Sequence, residues 1–244
     1  MIYYIVYRNG GDVMSKTKGT ILFRLNDLNG AVAEVILQTA VRQKIRRVVE
    51  CTPETISGEI EKFLNEGEFR NYSKVYIIGS RFEKRLADRI TDLMLEEEIE
   101  FVYRDHHRES LDLSKYLWGR VLLFDANSNP ISSAKNLYRE LVKQENPRYI
   151  RLSLLIDMAN ASITGYVPLE DEAGKAMIEE LYNLAGSPSK FAESMIEKIM
   201  SDDAFFNEAD IIAKIEAEKR AKEEAEEEMR VLKEKLRKRN TGWW

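Results

Sequence analysis

The two histidines of this 244-residue chain are neighbours, in Asp105-His106-His107. The triplet follows an apolar run, Ile99-Glu-Phe-Val-Tyr103, that reads as a β-strand. An imidazole pair beside a carboxylate at a strand end can ligate a metal ion or bind phosphate. Imidazole and carboxylate both supply lone pairs, and an imidazolium supplies hydrogen-bond donors. Other polar groups close apolar runs in the same way. Asp27 and Asn29 follow Thr20-Ile-Leu-Phe-Arg-Leu25, and Asp157 follows the stretch Leu152–Ile156. Taken singly, Asp27 and Asp157 are better explained as helix caps than as ligands. The histidine pair resists that explanation, since both histidines of the chain stand at one strand end.

A second kind of chemistry would need clustered cations. Arg42, Lys44, Arg46 and Arg47 gather where the first helix should end and could touch a phosphate backbone. Compensation of the helix C-terminus explains them better. A net charge of −5 excludes general polyanion binding, so any nucleic-acid contact has to be local. Cys51 stands alone, which excludes an internal disulfide and a multi-cysteine metal site. No Gly-x-Gly-x-x-Gly follows a strand, which argues against a dinucleotide-binding fold. No apolar run approaches the roughly 18 residues of a membrane span. The opening Met1-Ile-Tyr-Tyr-Ile-Val-Tyr7 is too short and too aromatic for a secretion signal. An intracellular, soluble protein is expected. Gln occurs only at 38, 43 and 144 while charged residues make up 32%, the balance of a heat-adapted protein.

These side chains need a scaffold, and a hydrophobic share of 44% is enough to build one. Residues 1–8 read as a strand closed by the turn Asn9-Gly10-Gly11-Asp12, with Met14 as an alternative start. Strands at 20–25, 47–51, 74–78, 99–103 and 120–124 alternate with helices. The helices fall at 31–43, from Thr52-Pro53-Glu54 onward, at 82–95 and at 132–143. Short apolar strands alternating with helices predict βαβ units. The expected fold is therefore α/β, a doubly wound and mostly parallel sheet over residues 1–146. Residues 150–159, 172–184 and 190–200 show helical period only, which predicts a helical extension over 147–207 packed on the sheet domain. Residues 208–244 predict one long charged helix, with the acidic stretch 223–228 ahead of the basic stretch 233–239, the order a helix dipole favours. Its thin apolar stripe, Ile211, Ile215, Met229, Leu232 and Leu236, and the terminal Trp243-Trp244 are candidates for binding a partner. A solvated single helix is the plainer alternative.

In this setting Asp105-His106-His107 resembles the signature of the DHH phosphoesterase superfamily, which includes the RecJ exonucleases, nanoRNases and family II pyrophosphatases. Leu25-Asn26-Asp27-Leu28-Asn29-Gly30 stands where several DHH enzymes carry His-x-Asp-x-Asp-Gly. Ser132-Ser133-Ala134 resembles the small-residue helix start that follows the family's motif, and Asp157 lies where its last metal-binding Asp would be sought. The resemblance covers residues 20–165 and implies the DHH fold.

It also implies that the metal chemistry is lost. Two divalent cations need several hard or imidazole ligands, with carboxylates bridging metals about 3.5–4 Å apart. Leu25 stands for the leading His, Asn29 for the second Asp, and Gly79-Ser80-Arg81 where the third strand's Asp is expected. Asp27, Asn29, Asp105, His106, His107 and Asp157 are then vestigial metal positions, with no catalytic residue and no cofactor expected. Degenerate DHH proteins include the eukaryotic cell division control protein forty-five and archaeal RecJ-like counterparts that bind the GINS complex. The resemblance thus implies a non-catalytic DNA-replication factor: a fork scaffold for GINS and the MCM helicase, with single-stranded DNA as a further ligand. The enzyme alternative is a manganese- or magnesium-dependent phosphodiesterase acting on single-stranded DNA or short RNA, with His107 near the phosphate.

Overall fold

Apolar, β-branched runs in the sequence become five strands: β1 (Gly19–Leu25), β2 (Ile45–Cys51), β3 (Tyr72–Ile78), β4 (Glu100–Asp105) and β5 (Gly119–Val121). All neighbours pair in parallel, in the order β2-β1-β3-β4-β5. Between and after them run α1 (Leu28–Ala40), α2 (Ile56–Asn65), α3 (Lys84–Glu96), α4 (Ser133–Leu141), α5 (Pro147–Thr164), α6 (Glu172–Ala185) and α7 (Pro188–Met200). The computed structural model describes residues 18–40, 45–141, 147–166 and 172–201, with residues 229, 230 and 233. This is the doubly wound parallel α/β arrangement expected, followed by helices.

Alternation along each strand divides the core into two faces. Leu22, Tyr76, Ile78 and Val102 pack with α1, α4, α5 and α7, while Ile21, Phe23, Val75 and Ile77 pack with α2 and α3. The helical extension completes the first face, because Leu155, Ile178 and Phe191 are buried in one cluster with Leu22 and Val32. Buried polar side chains interrupt that apolar face, Arg24 and Arg104 among them. Arg24 is fully buried and donates to Glu34 Oε2 at 2.9 Å, Glu50 Oε1 at 2.8 Å and Ser189 Oγ at 3.0 Å. One guanidinium therefore ties β1, α1, β2 and α7 together.

The start of α1 is set by contact with the strand it leaves. A Cβ added at Gly30 would lie 2.1 Å from the Leu25 carbonyl oxygen, so only glycine lets the helix begin this close. Gly30→Ala is expected to cost about 1–3 kcal/mol through overpacking. A lower urea midpoint at unchanged slope would measure it, and an unchanged midpoint would refute it.

Several predicted boundaries move, each for a local reason. α1 starts at Leu28 rather than 31, because Asp27 accepts the Gly30 N–H and serves as its cap. α2 starts at Ile56, since Thr55 and Ile56 both donate to the Thr52 carbonyl and hold Pro53 in a preceding turn. β4 reaches Asp105, so that carboxylate belongs to the strand. β5 ends at Val121, and Asp125 Oδ1 folds the next residues into a turn by accepting the N–H groups of Asn127 and Asn129. α5 extends to Thr164 and stops at Gly165, whose φ is +67°. The predicted strand 1–8, Met14 and nearly all of 208–244 lie outside the described residues. Among the described residues no helix is long and apolar enough to cross a membrane.

Candidate functional site

The strand order reverses between β1 and β3, so the loops leaving the two strands diverge and open a crevice at their C-terminal ends. A cleft of about 710 Å³ lies there. Its lining includes Asp27 and Asn29 after β1, Gly79 and Arg81 after β3, and His106 and His107 after β4. The topology thus brings together the three segments that the sequence singled out, although they are far apart along the chain.

Asp105 organises the histidines without facing the cleft. The residue is completely buried. Its Oδ1 accepts the His106 backbone N–H at 2.8 Å, the His107 Nδ1–H at 2.8 Å and the Ser133 hydroxyl at 3.4 Å. Its Oδ2 accepts the Tyr103 hydroxyl at 2.9 Å. Burial opposes ionisation of this carboxyl, but the hydrogen bonds from His107 and its neighbours prevail and hold it below the usual range. His106 Nδ1 meets Ser133 Oγ at 2.7 Å, so both rings are oriented through Nδ1. The rings lie 4.0 Å apart between centroids.

The two imidazoles are driven in opposite directions. Burial, reinforced by the neighbouring His107, lowers His106 to about 4. The hydrogen bond to Asp105 raises His107 against a smaller effect of burial. At neutral pH one ring is neutral and its neighbour holds a proton more tightly than usual. Asp27 is raised, chiefly by burial. Asp105, His106 and His107 place one ligand atom each within 4.8 Å of one another, a grouping compact enough to hold a metal ion.

The remaining sequence candidates are placed elsewhere. Asp157 pairs with Lys135 at 2.9 Å and is not among the residues lining the cleft; α5 contributes Ser162 and Ile163 instead. Arg47 pairs with Glu68 at 2.6 Å, and the aliphatic part of Arg46 lies over Gly19. Arg42 and Lys44 lie outside the described residues, as do Ile211, Ile215, Leu232, Leu236, Trp243 and Trp244. Met229 is helical and 53% exposed. Sequence reasoning missed the partners of Asp105: Tyr103, two residues earlier on the same face of β4, and Ser133. It also missed that Asn29 Oδ1 accepts the Ala134 N–H at 3.0 Å and so caps α4. The spacing of Tyr103 could have been noticed; the 105-residue separation of Asn29 from Ala134 leaves no local signal.

No protein-family model and no curated protein matches the sequence. Among solved structures, the chain is similar to an uncharacterized protein from Helicobacter pylori G27, with a TM-score of 0.55 and 17% identity. That match covers 78% of this chain and 58% of the other. The likeness shows a shared fold. A second solved structure, exonuclease RecJ bound to manganese, matches with a TM-score of 0.42 and 14% identity, over 87% of this chain and 64% of RecJ. The chain therefore spans less than two thirds of the length of either protein.

Proposed function

We propose that this chain is a non-catalytic protein of DHH-like fold, a replication-fork scaffold that associates with the GINS complex and supports the MCM helicase. The observation that carries the non-catalytic part is the state of Asp105. Both of its oxygens are taken by internal donors, and its side chain is fully buried. A carboxylate bridging two cations must present lone pairs to both. Asn29 directs its one acceptor to Ala134, and Arg81 brings a guanidinium to the cleft where a dication would need an acid. This donor set does not fit a carboxylate-bridged metal pair. The replication part rests on the resemblance of Asp105-His106-His107 and its surroundings to degenerate DHH proteins, and on that alone.

The expected result is no manganese- or magnesium-dependent hydrolysis of single-stranded DNA, short RNA or pyrophosphate. A chelator should leave the melting temperature unchanged, because no folding free energy is linked to a metal. Recovery of GINS and MCM subunits with the full chain from native extract would support the scaffold; their absence from such a pull-down would remove it. The second reading, a metal-dependent phosphodiesterase, is favoured by the compact grouping of Asp105, His106 and His107 at the cleft. Cleavage that is abolished by His106→Ala would establish that reading and overturn the first.

A further inference from the structure

The two edges of the sheet are finished differently. At β5 the outward N–H groups already have acceptors: Gly119 donates to the Tyr116 carbonyl at 2.9 Å and Val121 to Ser114 Oγ at 3.0 Å. That strand is also only three residues long. β2, seven residues long, stands at the opposite edge. Its Cys51 carbonyl accepts the Asn26 N–H, so Cys51 and, by alternation, Val49 turn their backbone groups toward β1. Val48 and Glu50 then point theirs away from the sheet, where no described residue meets them. The side chains here are half covered. Val48 packs against the cluster under α1 and α7, and Val49 against the one under α2 and α3, each with part of its surface open. A row of open backbone groups with apolar side chains on both faces is a template for one more strand.

One segment outside the described residues fits that place. Ile2-Tyr3-Tyr4-Ile5-Val6-Tyr7 is apolar or aromatic at both alternating sets of positions, Ile2, Tyr4 and Val6 in one and Tyr3, Ile5 and Tyr7 in the other. A strand with one wet face would carry polar residues in one set. A run apolar in both needs a sheet covered on both faces, as this one is. The distance is short. The chain enters β1 at Gly19, and the far side of β2 lies two strand spacings away, about 10 Å. Residues 9–18 can span roughly 33 Å, and Asn9-Gly10-Gly11-Asp12 supplies a reversal. A second copy of β2 is a poorer match, because it would bring Arg46, Arg47 and Glu50 of each copy to the seam. We infer that residues 2–7 add to the outer edge of β2 as a sixth strand, antiparallel to it, and close the sheet on that side. Doubly wound sheets commonly carry such an antiparallel edge strand.

The test is residue-resolved amide hydrogen exchange of the full chain. The Val48 and Glu50 amides are expected to exchange at least about tenfold more slowly than open amides, at every protein concentration. Ile5→Pro removes a donor and interrupts the added strand at a position outside the described core. It should return both amides to fast exchange, whereas the Val49 amide, which faces β1, stays protected. Fast exchange at Val48 and Glu50 in the unaltered chain overturns the proposal. So does slow exchange that Ile5→Pro leaves in place. Protection that disappears on dilution overturns it too, and assigns the edge to a second copy. Amide–amide NOEs between residues 2–7 and 47–50 of the unaltered chain decide the matter without a variant, and their absence overturns the proposal even where Ile5→Pro proves insoluble.

Discussion

Arg24→Met is expected to destabilise the protein by about 3–5 kcal/mol, the cost of breaking a buried ionic network from one side. The guanidinium is fully buried and bonded to Glu34, Glu50 and Ser189. Its removal leaves the Glu34 side chain, 8% exposed, facing Glu50 without a cation. Burial already raises the Glu34 pKa, and Arg24 is the main influence lowering it. In the variant the folded-state value climbs further. An acid raised in the folded state gives stability that is present at low pH and lost as pH rises through the folded value. Part of the loss in Arg24→Met should therefore be regained as pH falls toward the ordinary carboxylate range. The double variant Arg24→Met/Glu34→Leu, which replaces the pair with apolar volume, should recover more than half of the deficit. A deficit below about 1 kcal/mol in the single variant would show that the network contributes little.

Stability should also peak near pH 6.5 and fall on both sides, for two different reasons. His106 is lowered to about 4 in the folded chain, so on acidification the unfolded chain takes up a proton that the folded chain refuses. That difference corresponds to about 3 kcal/mol lost between pH 6.5 and pH 4. His107 behaves oppositely. Its folded value is raised by Asp105, so its contribution is complete below pH 6.5 and disappears as pH rises through the folded value. Urea unfolding across this range would trace the curve. His106→Asn keeps a group able to bond Ser133 but cannot take up a proton, and it should flatten the acid limb while leaving the alkaline limb in place. An acid limb of unchanged slope in that variant would remove His106 as its cause.

Much of this architecture could be read from residue order. Apolar runs such as Thr20–Leu25 and Val75–Ile78, each followed by a segment of helical period, require a parallel sheet covered on both faces, and that sheet is present. The convergence of Asp27, Arg81 and the histidine pair follows from that topology, because strand ends flanking a switch point share one edge. What could not be read was made by contacts over long separations. The Asn29–Ala134 bond and the Arg24–Ser189 bond join residues with no common periodicity. The apolar run around Arg24 carries no sign of its burial, because its partners Glu34, Glu50 and Ser189 come from three other elements. Asp157, a vestigial metal position by resemblance, pairs with Lys135, a partner that its place in the chain does not announce.

The junction of β1 and α1 also bears on how the protein ages chemically. Asn29 is followed by Gly30, the dipeptide most given to spontaneous deamidation, in which the glycine nitrogen attacks the asparagine carboxamide. The glycine cannot be exchanged for a safer neighbour, because a Cβ there would strike the Leu25 carbonyl. The fold supplies the protection instead. The Gly30 N–H is held 2.7 Å from Asp27 Oδ1, and the helical backbone keeps that nitrogen from closing the succinimide ring. Asp27 thereby acts as a preservative for its neighbour. Loss of that cap would expose Asn29 to conversion into a carboxylate, replacing a neutral amide beside the cleft with a negative charge, and heat would hasten the change.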